Sequence, residues 1–211
     1  MTYKVLNLYA CLGGNRYKWS DCEVTAVELD PELARMYHER FPQDKVIIAD
    51  AHQYLLDHFK EFDFIWSSPP CPSHSMTNTF LNSKGIIRYP DMGLYQEIIF
   101  LKTFFKGKFC VENVKPYYDP LIPAQKRGRH LYWCNFKLPN ILSKRDINGI
   151  MGKSKDEHKI LEEFHQIKVK SNLGGYRDIL RNLVDYEAGL TIFNTARNIY
   201  NKSKLEIPTL F

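Results

Sequence analysis

Residues 45–71 read KVIIADAHQYLLDHFKEFDFIWSSPPC, and the fold class follows from them. Lys45–Ala49 is a short apolar run closing on Asp50, the signature of a buried strand. Asp50 is a favoured helix cap, and Tyr54, Leu55 and Phe59 then recur at helical spacing through about residue 61. Residues 62–66 (FDFIW) form a second apolar run that delivers Ser67-Ser68-Pro69-Pro70-Cys71. Strand, helix and strand within so few residues predict a parallel pair joined by a crossover helix.

The same alternation extends toward the N-terminus. Lys4–Ala10 (KVLNLYA) predicts a first strand, with a turn at Gly13-Gly14, and Glu23–Glu28 (EVTAVE) a second. Asp30-Pro31 opens a helix, since Asp caps well and Pro suits the first helical position. Leu33, Met36, Tyr37 and Phe41 mark its buried face and Pro42 ends it. Toward the C-terminus, residues 72–90 are polar and irregular, a long loop of the functional kind. A helix over 91–106, a fifth strand over 109–114, a short helix before Arg127 and a strand over 130–136 follow. Residues 137–176 lose the pattern and carry eight Lys or Arg (Lys137, Lys144, Arg145, Lys153, Lys155, Lys159, Lys168, Lys170) against five acids. Two stretches, 177–183 and 185–201, read as helices. The expectation is an α/β chain with a doubly wound, mostly parallel sheet. Its core would span 1–136, a reduced segment 137–176, and helices returning to the core 177–211.

Composition excludes several classes. A hydrophobic share of 44% and a charged share of 25% are those of a globular chain able to bury a core. No apolar run approaches the roughly 20 residues that cross a bilayer, and Met1-Thr2-Tyr3-Lys4 runs straight into a strand, which predicts a cytoplasmic protein without membrane partners. The five cysteines are scattered without C-x-x-C spacing, so neither a metal site nor a disulfide framework is expected. The net charge of +5 is compatible with a polyanionic partner.

Ligands of open α/β sheets bind beyond the carboxyl ends of the strands. Tyr9–Gly14, Glu28, Asp50, Cys71 and Glu112-Asn113 all fall there. Taken singly, Gly13-Gly14 is a turn, Glu28 and Asp50 are helix caps, Cys71 is a buried thiol and Glu112 a paired carboxylate. Taken together they share one crevice. Glycines admit close backbone approach, an acid ending the second strand suits ribose hydroxyls, and an acid after the third suits an exocyclic amine. A cysteine on a Pro-Pro turn exposes a nucleophile, and a carboxyl across the crevice can protonate a ring nitrogen.

These residues resemble the cytosine carbon-5 methyltransferases over most of the chain. Leu8-Tyr9-Ala10-Cys11-Leu12-Gly13-Gly14 is similar to their cofactor loop, Val27-Glu28-Leu29-Asp30 to the ribose segment, and Asp50-Ala51 to the adenine segment. Pro70-Cys71, with Ser75 beyond it, resembles the nucleophile motif. Glu112-Asn113-Val114 matches the Glu-Asn-Val triplet, Gln125-Lys126-Arg127-Gly128-Arg129 the Gln-x-Arg-x-Arg pattern, and Arg181-x-Leu183 with Glu187-Ala188 the penultimate motif. The resemblance implies a Rossmann-like class I methyltransferase fold, S-adenosylmethionine as methyl donor and double-stranded DNA as partner. It implies cofactor contacts at Tyr9, Ala10, Gly13, Gly14, Glu28, Leu29, Asp50, Ala51 and Pro70. Catalysis would rest on Cys71, Glu112, Arg127 and Arg129, and substrate contacts on Ser75, Lys84, Arg88, Asn113, Gln125 and Arg181, with loop 72–90 closing over a flipped base. A prokaryotic or viral setting such as restriction–modification is implied as well.

The chain departs from the pattern at four places. Cys11 stands where a glycine is usual, so a less tight turn is expected, and Pro72 replaces a glutamine. The final Asn-containing motif is reduced at best to Asn194–Asn198 (NTARN). Only about 40 residues follow Phe136 for target recognition, which predicts a small recognition site, loose specificity or a second chain that reads the grooves. An RNA cytosine methyltransferase is the alternative substrate reading, without its usual Cys-Phe-Thr run. Ser68-Pro69-Pro70 partly mimics enzymes that methylate exocyclic amines. A cofactor-binding, non-catalytic subunit is the remaining alternative.

Overall fold

The structure, a computed structural model, describes residues 2–145, 157–169 and 176–199. Lys153, Lys155 and Lys170, and the expected end of the last helix at 200–201, lie outside the described residues. Seven strands form one sheet: β1 (Tyr3–Leu8), β2 (Cys22–Glu28), β3 (Lys45–Ile48), β4 (Phe64–Ser67), β5 (Lys108–Val114), β6 (Gln125–Arg127) and β7 (His130–Cys134). Their order is β3-β2-β1-β4-β5-β7-β6. β1 to β5 pair in parallel, while β7 runs antiparallel between β5 and β6. The topological switch lies at β1, flanked by β2 and β4, so the ends of these strands open a crevice.

The helices form where caps and periodicity place them. α1 (Pro31–Arg40) starts on Asp30, whose carboxylate accepts the Glu32 and Leu33 amides at 2.8 and 3.1 Å. α2 (Ala51–His58) starts on Asp50, which accepts the Gln53 amide at 2.8 Å, and a 3₁₀ turn over 59–61 completes the stretch read as one helix. α3 (Asn78–Ser83) is a short helix inside the expected loop, and α4 is Gly93–Phe104. α5 (Glu157–His165), α6 (Tyr176–Asn182) and α7 (Tyr186–Ala196) follow β7. No helix forms before Arg127, contrary to the sequence reading. Pro116, Pro120 and Pro123 interrupt residues 115–124, and each removes a backbone donor that a helix needs. The chain instead enters the short polar strand β6 and turns back through Gly128 into β7.

Strand alternation builds two cores. Leu6, Leu8, Ile65, Phe109 and Val111 meet α2 and α4 on one face through Leu55, Leu94, Ile98 and Leu101. Val5, Phe64, Trp66 and Cys110 meet α7 on the other through Ala188, Ile192 and Phe193. Trp19 stacks on Phe193 at 4.8 Å and donates its indole N–H to the Gly189 carbonyl at 3.1 Å. A Cβ on Gly189 would lie 2.3 Å from the Asn15 carbonyl oxygen. Gly189→Ala is therefore expected to cost roughly 2 kcal/mol, about 5 °C in the melting midpoint of a chain this size, measured by thermal unfolding.

None of the helices among the described residues is long and apolar enough to cross a membrane, and no cluster of His, Cys, Asp or Glu among them could hold a metal ion.

Candidate active site

Two cavities open at the carboxyl ends of the strands and share a wall made of Tyr9, Cys11 and Ser68-Pro69-Pro70. The cavity above β1 to β3, about 740 Å³, is lined by Glu28, Leu29, Asp50 and Ala51, and also by Asp30, His52 and Asp91. The cavity above β4 and β5, about 610 Å³, is lined by Cys71, Ser75, Glu112, Asn113, Lys115, Arg129, His130 and Arg181. Acids rim the first, and three basic residues stand in the second. Both volumes suit small-molecule or single-base ligands.

The loop after β1 makes the shared wall. Tyr9 and Cys11 adopt left-handed backbone, φ 55° and 47°, and the Gly13 amide closes a tight turn on the Ala10 carbonyl at 2.8 Å. The expectation that Cys11 slackens this turn is corrected: the cysteine takes the conformation glycine favours. Both glycines are also required by close packing. A Cβ on Gly13 would lie 2.4 Å from the Phe41 ring, and one on Gly14 2.5 Å from the Val184 carbonyl oxygen. Gly13 serves packing under α1 and lines neither cavity, while Gly14 lines the second cavity and lets the loop meet the α6–α7 link.

Glu28 accepts two amides, from Cys11 at 2.8 Å and Asp30 at 3.0 Å. A carboxylate offers about four lone-pair sites, so its remaining capacity faces the first cavity. Leu29, at 65% exposure, holds an apolar side chain on the rim. Carboxylate acceptors, an apolar face and several acids together fit an adenosine-type ligand bearing positive charge.

In the second cavity, Cys71 follows the Pro-Pro turn half-buried, and its carbonyl accepts the His74 and Ser75 amides, both at 3.0 Å. Burial pushes its thiol pKa up and the Glu112 charge adds to that, while a backbone hydrogen bond and Arg129 oppose them. Glu112 is only 6% exposed. Burial raises its carboxyl to about 7, against the lowering effects of the Ser68 hydrogen bond and Arg129. Ser68 Oγ donates to Glu112 Oε2 at 2.9 Å and accepts the Trp66 indole N–H at 2.8 Å, a relay that fixes the carboxyl. His130 Nε2 lies 3.6 Å from Glu112 Oε1, and burial, with Arg129, lowers the imidazole to about 4, so it is neutral at pH 7.

The other expected residues divide. Asn113 lines the cavity, but its amide clamps the turn, donating to the Pro69 carbonyl at 3.0 Å and accepting the Val114 amide at 2.9 Å. Ser75 Oγ accepts from Thr77 Oγ1 at 3.0 Å. Arg181 pairs with Glu157 of α5 at 2.9 and 2.7 Å, while its carbonyl accepts from Arg129 at 3.3 Å. Ala10 and Pro70 line the second cavity, and Pro70 lines both.

Arg127 and Gln125 are not brought to the cavity. The Arg127 guanidinium donates to the Lys126, Leu138 and Pro139 carbonyls, and Gln125 bonds the Phe136 carbonyl and the Leu138 amide. Both fasten the chain after β7. Lys84 and Arg88 stand exposed on the loop outside either cavity, Lys84 with its ammonium 4.3 Å from the Phe80 ring centroid. Asn194–Asn198 ends α7 at the far end of the sheet, beside Tyr3, so it cannot wall the cofactor cavity. Asn182-Leu183-Val184 of the α6–α7 link, with Asn15, lines the second cavity instead. Leu183 belongs to the Arg181-x-Leu183 resemblance, whereas Asn15, Asn182 and Val184 carry no local sequence signal for that position. Glu97, which the sequence reading passes over, does carry a signal: it lies three residues after Leu94 and one before Ile98, a carboxylate on the buried stripe of α4.

A family model described as C-5 cytosine-specific DNA methylase matches residues 3–119, from β1 to just past Glu112-Asn113-Val114. No curated protein matches the chain. Among solved structures, a hypothetical protein of Thermus thermophilus is 17% identical, with 62% of this chain and 73% of that chain covered at a TM-score of 0.40. A SAM-dependent methyltransferase from Agrobacterium tumefaciens is 14% identical over 56% of this chain and 40% of that one, TM-score 0.40. The Entamoeba histolytica methyltransferase EhMeth is 12% identical over 69% and 58% of the two chains, TM-score 0.42.

Proposed function

This chain belongs to the C-5 cytosine-specific DNA methylase family, and from that membership we propose that it methylates carbon-5 of cytosine in DNA, with S-adenosylmethionine as donor and a covalent adduct at Cys71. The observation that carries this reading is the shared wall. Tyr9 and Ser68-Pro69-Pro70 separate an acidic cavity suited to a cationic adenosine ligand from a cavity holding a thiol and a protonatable carboxyl. S-adenosylmethionine, when bound, supplies an electrophilic methyl group; Glu28 and Asp50 would hold its adenosine.

In this reading the target cytosine is flipped into the second cavity, at a cost of a few kcal/mol. The Cys71 thiolate forms a bond to carbon-6 while Glu112 gives its proton to ring nitrogen 3. Electron density moves to carbon-5, which would take the methyl group as its bond to the donor's sulfonium sulfur breaks and leaves a neutral thioether. Loss of the carbon-5 proton to solvent and return of the nitrogen proton to Glu112 then expel the thiolate. Arg129, whose charge acts on both Cys71 and Glu112, holds negative charge near the base carbonyl. Arg127 has no place in this set, because its guanidinium is spent on carbonyls after β7.

DNA is favoured over RNA by the family match. Lys84 and Arg88, with Phe80, Ile86, Ile87 and Tyr89 exposed beside them, suit the loop after Cys71 to phosphates and bases. The short stretch 137–176 favours either loose specificity or groove reading by a second chain. Bisulfite sequencing of DNA from cells expressing the protein is expected to show new 5-methylcytosine. Purified protein with S-adenosylmethionine is expected to trap on a duplex containing 5-fluorocytosine. DNA left unmodified, or an RNA that traps where the duplex does not, would overturn the assignment.

A further inference from the structure

Glu97 of α4 is a carboxylate at 1% exposure, placed among the apolar side chains that pack on the sheet. Its Oε1 accepts the Tyr9 hydroxyl at 2.5 Å and lies 3.2 Å from His52 Nδ1. Its Oε2 accepts the Ser67 hydroxyl at 2.6 Å. The three partners come from three elements around the crevice, Tyr9 lining both cavities, His52 the first, and Ser67 buried beneath them. Tyr9 belongs to the loop after β1, Ser67 to the end of β4 just before the Pro-Pro turn, and His52 to the first turn of α2, two residues past Asp50.

We propose that Glu97 is a positioning residue: by holding Tyr9, Ser67 and His52 on one buried carboxylate, it fixes the wall between the two cavities and with it the approach of the methyl donor to the target carbon. The inference rests on the methyl-transfer reading given above. Its physical basis is twofold. A carboxylate is costly to bury and persists only with its lone pairs satisfied, yet an apolar residue would pack this helix face equally well. Tyr9, meanwhile, holds left-handed backbone at φ 55°, a conformation unfavourable for a side chain this size, which must be held by its surroundings. The phenol–carboxylate bond supplies that hold at the ring that lines both cavities. Reacting groups must meet within a fraction of an ångström for efficient transfer, so a wall held at Tyr9 and at Ser67, the residue that leads into Ser68-Pro69-Pro70, has a direct use here.

Tyr9→Phe removes the phenol oxygen and keeps the ring. Glu97→Gln keeps an acceptor for Tyr9 and a partner for Ser67, whereas Glu97→Leu removes both. With S-adenosylhomocysteine as probe in calorimetry, Tyr9→Phe and Glu97→Leu are expected to weaken binding about tenfold, the loss of one charge-assisted hydrogen bond. Glu97→Gln is expected to stay near wild type. Tyr9→Phe is further expected to lower kcat about 100-fold at saturating donor, and the double variant Tyr9→Phe with Glu97→Leu to add little beyond either single one. Wild-type binding and kcat in Tyr9→Phe would overturn the positioning role while leaving methyl transfer standing. Should Glu97→Leu fail to fold, Tyr9→Phe decides alone. A wild-type protein that does not bind S-adenosylhomocysteine would remove the reading and the inference together.

Discussion

Cys71→Ser is expected to lose about 10,000-fold in methyl transfer, on the order of 5 kcal/mol of barrier, and to abolish the adduct with 5-fluorocytosine DNA. Of the two thiols that line the second cavity, Cys11 has its pKa pushed up to about 12 by burial and the Glu28 charge, which leaves the Cys71 sulfur as the atom suited to add to carbon-6. A serine hydroxyl in the same place is a far weaker nucleophile, because it stays protonated where a thiol ionises. The substitution should cost little structurally. Cys71 is half-buried, and the turn is held by its backbone carbonyl, which accepts the His74 and Ser75 amides at 3.0 Å, and by Asn113 on the Pro69 carbonyl at 3.0 Å. Melting midpoint and S-adenosylhomocysteine affinity should therefore match wild type within error, so that lost activity reports the chemistry alone. Methyl transfer by Cys71→Ser near the wild-type rate would end the covalent mechanism.

The sequence exposes the parallel half of the sheet well because its signals are local. Asp30 and Asp50 cap the helices that the pattern assigns to them, and apolar runs mark strands buried on both faces. The region after Val114 is less legible. β6 is a polar edge strand without alternation, and the prolines at 116, 120 and 123 carry more information than the residues between them. α3 is also hidden, since its polar residues form a helix partly because Asn78 donates to the Pro72 carbonyl at 2.8 Å. At the site, motif order places Cys71 and Glu112 on one cavity and Glu28 and Asp50 on the other. Motif order cannot separate a side chain that faces a cavity from one that ties down the chain. Arg127 and Arg129 stand two residues apart in one pattern, yet only Arg129 reaches the crevice. The α6–α7 link that closes the second cavity lies far along the chain from the loop it touches, with Val184 against Gly14, and the Arg181-x-Leu183 resemblance beside it does not say which loop it meets.

Glu112→Gln separates the acid from the nucleophile. The amide can still occupy the site beside Ser68 but has no proton to give to ring nitrogen 3, so kcat is expected to fall about 1,000-fold. The pH dependence should change shape too. Wild type needs a protonated Glu112, whose carboxyl burial raises to about 7, together with a Cys71 thiolate, which burial and the Glu112 charge make scarce. Between the two pKa values the gain in thiolate with rising pH is cancelled by the loss of acid. The rate therefore rises up to about pH 7, levels off, and falls only above the pKa of the thiol. In Glu112→Gln the break near 7 disappears and the residual rate keeps rising until the thiol has ionised. Removing the carboxylate also removes a charge that opposes the thiolate, so Cys71 should be alkylated by iodoacetamide faster than in wild type at pH 8. Activity falls while thiol reactivity rises, a pairing that misfolding does not readily produce. A break near pH 7 that persists in the variant, or alkylation at the wild-type rate, would show that Glu112 is neither the acid nor the group that restrains the nucleophile.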